Sequence, residues 1–405
     1  MASSDDQQAN RQDVWITGIG IVTCFGEGVE THWQTLTGEK APAAIQDTET
    51  FKPYAVHPLP EIDWSQQVSR KDARQMETWQ RLGTYAAGMA LDDAGLKSDE
   101  ELVSSMDLVV CAGGGERDIK VDEMVLREAR QRNDREMVVN ELLPVELRPT
   151  LFLAQLSNLM AGNISIVHKV TGSSRTYMGE ESCGVTALRD AFRRISHGQS
   201  THMLVGGAYN SERPDLLLNL ELGKHLLRGS TAPVFERQSE GGGMIPGTAG
   251  VFLVLESAEH AKARDVTPYA KLSGVASDLG PRDKDSTLER VKRMMDDLDL
   301  SNPNSTAVLS GSTGCAEITD WEFEAIRAKI GMESVIRAFT SLTGNPIEAN
   351  FPLGVALAAM ALKNGDFYPP FEQAENPAKI LPNQILVSCL GHYRGEGMAM
   401  IDTAS

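Results

Sequence analysis

The sequence predicts an α/β protein built from two similar halves, and three observations carry that expectation. Short β-rich runs alternate with amphipathic helical patterns along the chain. Glycines, 36 in 405 residues, are spread along the length, as many strand-to-helix turns require, and form no low-complexity tract. After residue 265 the same alternation starts over without a Pro/Ser-rich linker, which points to internal duplication within one intertwined body. The expected division is a tail over 1–12, a first half over 13–265 and a second over 266–405.

The first strand is VWITGIGIVT (14–23), closed by Gly26 and Gly28. Residues 70–95 predict one long helix, because Met76, Trp79, Leu82, Ala86 and Ala90 recur at helical spacing and DAGL (93–96) ends it on a glycine. MDLVVCAGGG (106–115) predicts a strand, and 150–169 and 184–197 predict helices. HMLVGGAYN (202–210) is a further strand, and AGVFLVLES (249–257) has the apolar run of a strand buried on both faces. In the second half YAKLSGVA (269–276) and TAVLSGST (306–313) repeat the strand pattern. Helices are expected at 287–298, 320–330 and 353–364, and a closing hairpin at 384–402.

Composition removes several classes of function. A formal charge of -18 disfavours general nucleic-acid binding, which needs basic stripes to neutralise phosphates. The longest apolar helical stretch, LGVALAAMAL (353–362), is about half of the ~18 residues a membrane span needs, so no membrane span is expected. The N-terminal MASSDDQQANRQD has no apolar secretory core and predicts a disordered tail, and the expected location is cytoplasmic. Cys24, Cys111, Cys183, Cys315 and Cys389 are scattered without disulfide or zinc spacing, so neither a metal nor any other cofactor is expected.

Five blocks, in order, resemble β-ketoacyl-acyl-carrier-protein synthases of the type II, elongating kind. They are VWITGIGIVTCFGEGVETHW (14–33), SRKDARQMETWQRLGTYAAGMALDDAGL (69–96), AGNISIVHKVTGSS (161–174), GQSTHMLVGGAYN (198–210) and FERQSEGGGMIPGTAGVFLVLESAEHAKAR (235–264). The resemblance covers roughly residues 13–402. It implies a thiolase-like fold, two duplicated βα halves in five layers (α-β-α-β-α), and a dimer reached through the strand at 202–210 and the 150–169 region. Members of that family condense an acyl group held on a cysteine with malonyl on acyl carrier protein. The chemistry needs a thiolate at a helix N-terminus, where the dipole lowers the thiol pKa, together with two histidines and a lysine.

Matched residue by residue, that machinery is replaced. The family's cysteine stands three residues before a glycine and twenty-five before the GG of the next strand; Gly184 and Gly206 both count back to Glu181. Cys183, two residues on, lies about 200° around the helix and should point elsewhere. A carboxylate at this helix N-terminus is expected to have an electrostatic or structural role rather than a covalent one. SGSTGCAE (310–317) resembles the H-G-T-S-T segment, with Ser310 in place of the first histidine and Ser312 keeping a hydroxyl where the family binds pantetheine. TSLTGN (340–345) resembles K-S-x-x-G-H, so Thr340 replaces the lysine and Asn345 the second histidine. Beyond His260 the chain has a single histidine, His392, so at least one of the pair is missing under any shift. His392 falls where the family closes its acyl pocket with a phenylalanine, and with Arg394 is expected to form a polar site near Glu181. Lys71 and Arg74 match basic positions that contact the acidic carrier protein. Arg127, Arg130, Arg132 and Arg135 make a second basic cluster, diluted by acidic neighbours.

The expected function is therefore a non-condensing, chain-length-factor-like partner that shapes the acyl pocket of an active ketosynthase. Its expected partners are that synthase, or a second copy of the chain, and the phosphopantetheine arm of acyl carrier protein. The alternative is an active 3-oxoacyl-acyl-carrier-protein synthase or malonyl-carrier decarboxylase with an altered site.

Overall fold

A computed structural model describes residues 11–38, 42–149, 151, 155–300 and 305–404. Its first strand, β1 (Val14–Thr23), explains its own composition. Val14 and Ile16, then Ile19 and Ile21, enter the same core. The change of parity falls where the register against a neighbouring strand shifts between Ile16 and Gly18, as a bulge produces. Gly20 lies under the helix Thr78–Asp93, and a methyl group there would overlap the Ala86 carbonyl oxygen.

The remaining strands are β2 (Gly26–Glu27), β3 (Asp107–Cys111), β4 (Ser174–Tyr177), β5 (His202–Tyr209), β6 (Ala249–Ser257), β7 (Ala270–Asp278), β8 (Thr306–Ser310), β9 (Val335–Ala338), β10 (Gln384–Leu390) and β11 (Glu396–Asp402). Apart from the short β2, which pairs with β1, their order is β4-β3-β5-β6-β1-β7-β11-β10-β8-β9. Read outward from the centre, the two halves match. β1 and β7 are each followed by an antiparallel neighbour (β6, β11), a second antiparallel pairing (β5, β10), then two parallel ones (β3 and β4; β8 and β9). Among the described strands the two halves pair directly only between β1 and β7, at Val14↔Leu272, Trp15↔Lys271 and Ile16↔Ala270.

Alternation along the strands builds the layers. Leu253 of β6 and Val387 of β10 face one core, shared with the helices Glu180–Ser196 and Asn350–Asn364. The second of these helices is buried on every side from Asn350 to Leu362, as a central-layer helix must be. Phe252 and Val254 face outward, under the helices Thr78–Asp93 and Leu159–His168. Leu386 and Met400 face the opposite outer layer, formed by Lys284–Asp297 and Ile318–Ile330. The result is the five-layer, thiolase-like α/β arrangement.

Four expectations need correction. The long helix over 70–95 is broken into Arg70–Ala73 and Thr78–Asp93, because Glu77 and Gln80 form a reciprocal capping box that starts a new helix. Within 150–169 the helix is Leu159–His168; residues 150 and 152–154 lie outside the described residues. Two further helices, Ile119–Gln131 and Arg135–Glu146, were not expected; each buries one residue, Val121 and Val138, and their remaining apolar side chains are left partly exposed. Finally, the strand at 202–210 cannot join a second chain through its backbone, because β3 and β6 already occupy both of its edges. Among the described strands the outermost are β4 and β9.

Candidate functional site

The site lies where β4 gives way to a central helix. Only Met178 and Gly179 separate β4 from the helix Glu180–Ser196, and the turn is made by Gly179 at φ 131° followed by Glu180 at φ 51°. Glycine meets the first angle at no steric cost; Glu180 is held in the left-handed region by the structure around it. The helix thus presents Glu181 in its first turn, 1% exposed. The β10–β11 loop supplies His392. Gly391 N donates to Gly395 O (2.8 Å), and Arg282 Nη2 donates to the carbonyls of Gly391 (2.9 Å) and Gly395 (3.3 Å). Arg282 is itself braced by Glu396 at 3.4 Å, which also pairs with Arg290 at 3.1 Å.

Glu181 and His392 meet directly. Nδ1 of His392 lies 2.9 and 3.1 Å from the two carboxylate oxygens, and the His392 backbone N–H donates to Oε1 at 3.2 Å. Burial alone pushes the Glu181 carboxyl up, but the His392 imidazolium and the backbone N–H groups of Glu181 and His392 outweigh it and hold the carboxyl below its usual range. Burial likewise works against a charged His392, and the Glu181 carboxylate reverses this, raising the imidazole above its ordinary value. The two form a buried ion pair. Nε2 of His392 points the other way, 3.9 Å from Glu180 Oε1. The ring of His225 stands edge-on to it, centroids 4.6 Å apart. Burial and the neighbouring His392 push His225 down.

The other expected positions are engaged elsewhere. Ser310 ends β8 on the side of Val308, facing the outer layer, while Leu309 faces the central one. Its hydroxyl donates to Glu322 Oε1 at 2.7 Å, and Ser388, its partner in the β8–β10 register, donates to the same oxygen at 2.6 Å. Burial pushes Glu322 up to about 6 despite these two donors. Ser312 donates to Thr319 Oγ1 at 3.1 Å, and Thr340 Oγ1 donates to the Ser312 carbonyl at 2.5 Å. Asn345 Oδ1 accepts from Ile347 N at 2.8 Å, while Nδ2 is buried without a hydrogen-bond partner among the described residues. Neither Ser310 nor Asn345 hydrogen-bonds Glu181.

Arg394 does not join the pair as expected. It is exposed and lies over the ring of Tyr393, 5.9 Å from its centroid, because the tight loop turns residues 393 and 394 outward. Cys183 is buried, donates to the Glu180 carbonyl at 2.9 Å, and is pushed well above the ordinary thiol range, chiefly by burial. Lys71 and Arg74 are exposed at the short helix Arg70–Ala73, with no ion pair among the described residues. In the second basic cluster Arg132 is paired with Asp134 and Glu141.

Sequence reasoning did not reach Glu180, His225, Glu322 or Glu348. Glu348 is buried, and burial together with the Glu181 charge pushes its carboxyl up to about 7. No periodic or spacing signal marks these four, since each gains its meaning from a neighbour distant in sequence. Chemically, the assembly offers a carboxylate–imidazole pair, a second imidazole and two further carboxyls, with no thiol free to act.

Comparison with known proteins identifies the family. The family model described as Beta-ketoacyl synthase, N-terminal domain matches residues 11–261. The 3-oxoacyl-acyl-carrier-protein synthase 2 of Vibrio cholerae is 27% identical over 272 residues, covering 65% of this chain and 63% of the relative, less than two thirds of its length. The tetracenomycin polyketide synthase ketoacyl synthase beta subunit of Streptomyces glaucescens is 25% identical over 366 residues, covering 87% and 86%. Among solved structures, one titled the ishigamide ketosynthase/chain length factor superposes with a TM-score of 0.77 at 19% identity, covering 98% of this chain and 100% of that one, which bears on the fold. With the strand order, the central helix Glu180–Ser196 and the matched N-terminal domain, the chain belongs to the β-ketoacyl synthase family.

Proposed function

We propose that this chain is a non-condensing subunit of fatty-acid or polyketide-type synthesis. It pairs with a catalytically complete ketosynthase and helps shape that enzyme's acyl pocket. The observation that carries the reading is the buried Glu181–His392 ion pair at the head of the central helix. Where the family keeps a thiolate, this chain holds a carboxylate already neutralised by its own histidine. Ser310 and Asn345 stand in for the two histidines without their proton chemistry, Thr340 for the lysine. Ser312, Thr340 and His392 are the remaining groups at the pocket, and Lys71 and Arg74 form the docking face for acyl carrier protein. The beta-subunit name of one relative and the ketosynthase/chain length factor title of one structure support a paired role. So does the outermost strand β4, with Ser174 and Arg175 exposed, where a partner's strand can extend the sheet.

A second reading, residual acid–base catalysis such as malonyl-carrier decarboxylation, draws on Glu348, a buried carboxyl pushed up to about 7 beside Glu181. Co-expression with the elongating ketosynthases of the same cell separates the two. A stable mixed dimer with altered product chain length supports the partner role. Failure of every synthase to form one, with product lengths unchanged, removes it.

A further inference from the structure

We propose that two copies of this chain associate through the helix Ile119–Gln131, each copy's helix packing antiparallel on the other's with Leu126 at the centre. The reasoning begins with helices that lack cover. Ile119–Gln131 and Arg135–Glu146 pack against each other, yet each buries a single residue, Val121 and Val138. Helices this short are marginal in water unless an apolar face is packed. Here apolar side chains stay at the surface: Leu126 is 61% exposed, and Leu218 of the helix Pro214–Leu222 is 58% exposed. A groove of about 790 Å³ runs between the three helices, lined by Val125, Leu126, Val139, Leu143, Leu147 and Leu218 among others. An open apolar groove of this kind marks a surface that another molecule covers.

The occupant follows from the charges beside Leu126. With 3.6 residues per turn, Glu123 and Arg130 fall about 60° and 40° to the same side of Leu126. Both are exposed, and neither makes an ion pair among the described residues. A twofold axis beside Leu126, perpendicular to the helix, reverses the helix and keeps each side chain on its own side of the contact. Glu123 lies about 4.5 Å along the helix before Leu126 and Arg130 about 6 Å after it. Reversal therefore sets Glu123 of one copy against Arg130 of the other, and the axis makes that contact twice. Asp122 is held within its own chain by Arg117, Nε to Oδ2 at 2.6 Å, and in this register it faces the second copy's Ala129. The same helix thus supplies an apolar centre and charges that complement themselves on reversal, which is what an interface between identical chains requires.

The contact is made by helix side chains and not by strand β4, so it adds to the pairing proposed above and does not depend on it.

The test is sedimentation equilibrium of the full chain across the micromolar range. The parent should be a dimer. Leu126→Asp should weaken it by about 100-fold, with the fold retained because the residue lies at the surface. Glu123→Arg and Arg130→Glu should each weaken it by about tenfold or more, since each sets like charges together twice. Mixed in equal amounts, these two variants should regain the dimer, because the mixed pair restores opposite charges at both contacts. A parent that stays monomeric overturns the proposal. So does a dimer indifferent to Leu126→Asp, or a pair of weakened variants that mixing does not rescue.

Discussion

Glu181 and His392, 211 residues apart in sequence, are held together twice: by the ring Nδ1 at 2.9 Å and by the backbone N–H of His392 at 3.2 Å. The first contact needs the charge state of both groups; the second needs only the loop. The pair therefore ties the β10–β11 loop to the head of the central helix. Removing one partner from a buried ion pair strands the other charge, at a cost of about 3–5 kcal/mol. Glu181→Ala and His392→Ala should each lose stability on that order in denaturant titrations. Arg394→Ala, an exposed change one turn of loop away, should stay within about 0.5 kcal/mol of the parent.

Chemistry is predicted to be absent and not recoverable by one substitution. Incubated with malonyl- and acyl-loaded carrier protein, the chain should carry no acyl group by intact-mass spectrometry and yield no condensation product. Glu181→Cys should gain at most slow acylation and no condensation, because Ser310 is committed to Glu322 and Asn345 to the Ile347 N–H. Turnover by the parent chain that disappears in Glu181→Ala would instead establish the catalytic alternative.

Stability should form a plateau in pH. Burial lowers His32 and His168 to about 4 and His57 to about 3 from 6.5. The unfolded chain binds more protons than the native one at these groups below pH 6.5, so their contribution is lost as pH falls toward those values. Burial raises Glu322 to about 6 and Glu348 and Glu375 to about 7 from 4.5. Here the native state binds the extra protons, so stability is fully present below 4.5 and is lost as pH rises through about 7; His392, also raised, acts in the same sense above 6.5. The two sets offset each other between 4.5 and 6.5, and the melting temperature should fall on both sides. Glu348→Gln should flatten the alkaline decline while leaving the acid limb unchanged.

Docking of acyl carrier protein should depend on Lys71 and Arg74. Both are exposed and without an ion pair among the described residues, so their charge is available to a partner. Reversal of both to glutamate should weaken carrier binding by about tenfold or more, roughly 1.4 kcal/mol, in low-salt titrations, and the difference should shrink as salt is added. Affinity indifferent to both the reversal and the salt would place docking elsewhere.

The sequence disclosed the scaffold far better than the interactions of the site. β1 and β6 were bounded to the residue, since an apolar run buried on both faces leaves little freedom. The break at Glu77 is hidden because the apolar periodicity of Met76 and Trp79 runs straight across it, while the capping box that starts the second helix is a matter of hydrogen bonds. The helix Ile119–Gln131 is amphipathic in sequence, with Val121, Val125 and Ala129 at helical spacing beside Met124, so its existence was legible there and its shallow burial was not. Position 181 could be counted to from glycines, and its meeting with His392 was anticipated. That Ser310 turns to Glu322, and that Arg394 turns to solvent, depended on strand parity and loop closure that no spacing encodes.

The narrow seam between β1 and β7 has a consequence for the chain as a physical object. Three residue pairs carry the pairing between named strands of the two repeats among the described residues, and the covalent link beside them runs through the short helix Ala258–Ala263 and the surface residues 264–268. What unites the repeats is the shared central layer, in which each contributes a helix that the other covers. Continuity of the polypeptide at that point is therefore dispensable. Two fragments divided after Asp265 and expressed together should find each other and rebuild the five layers, and either one alone should be left with a wet, unmatched face.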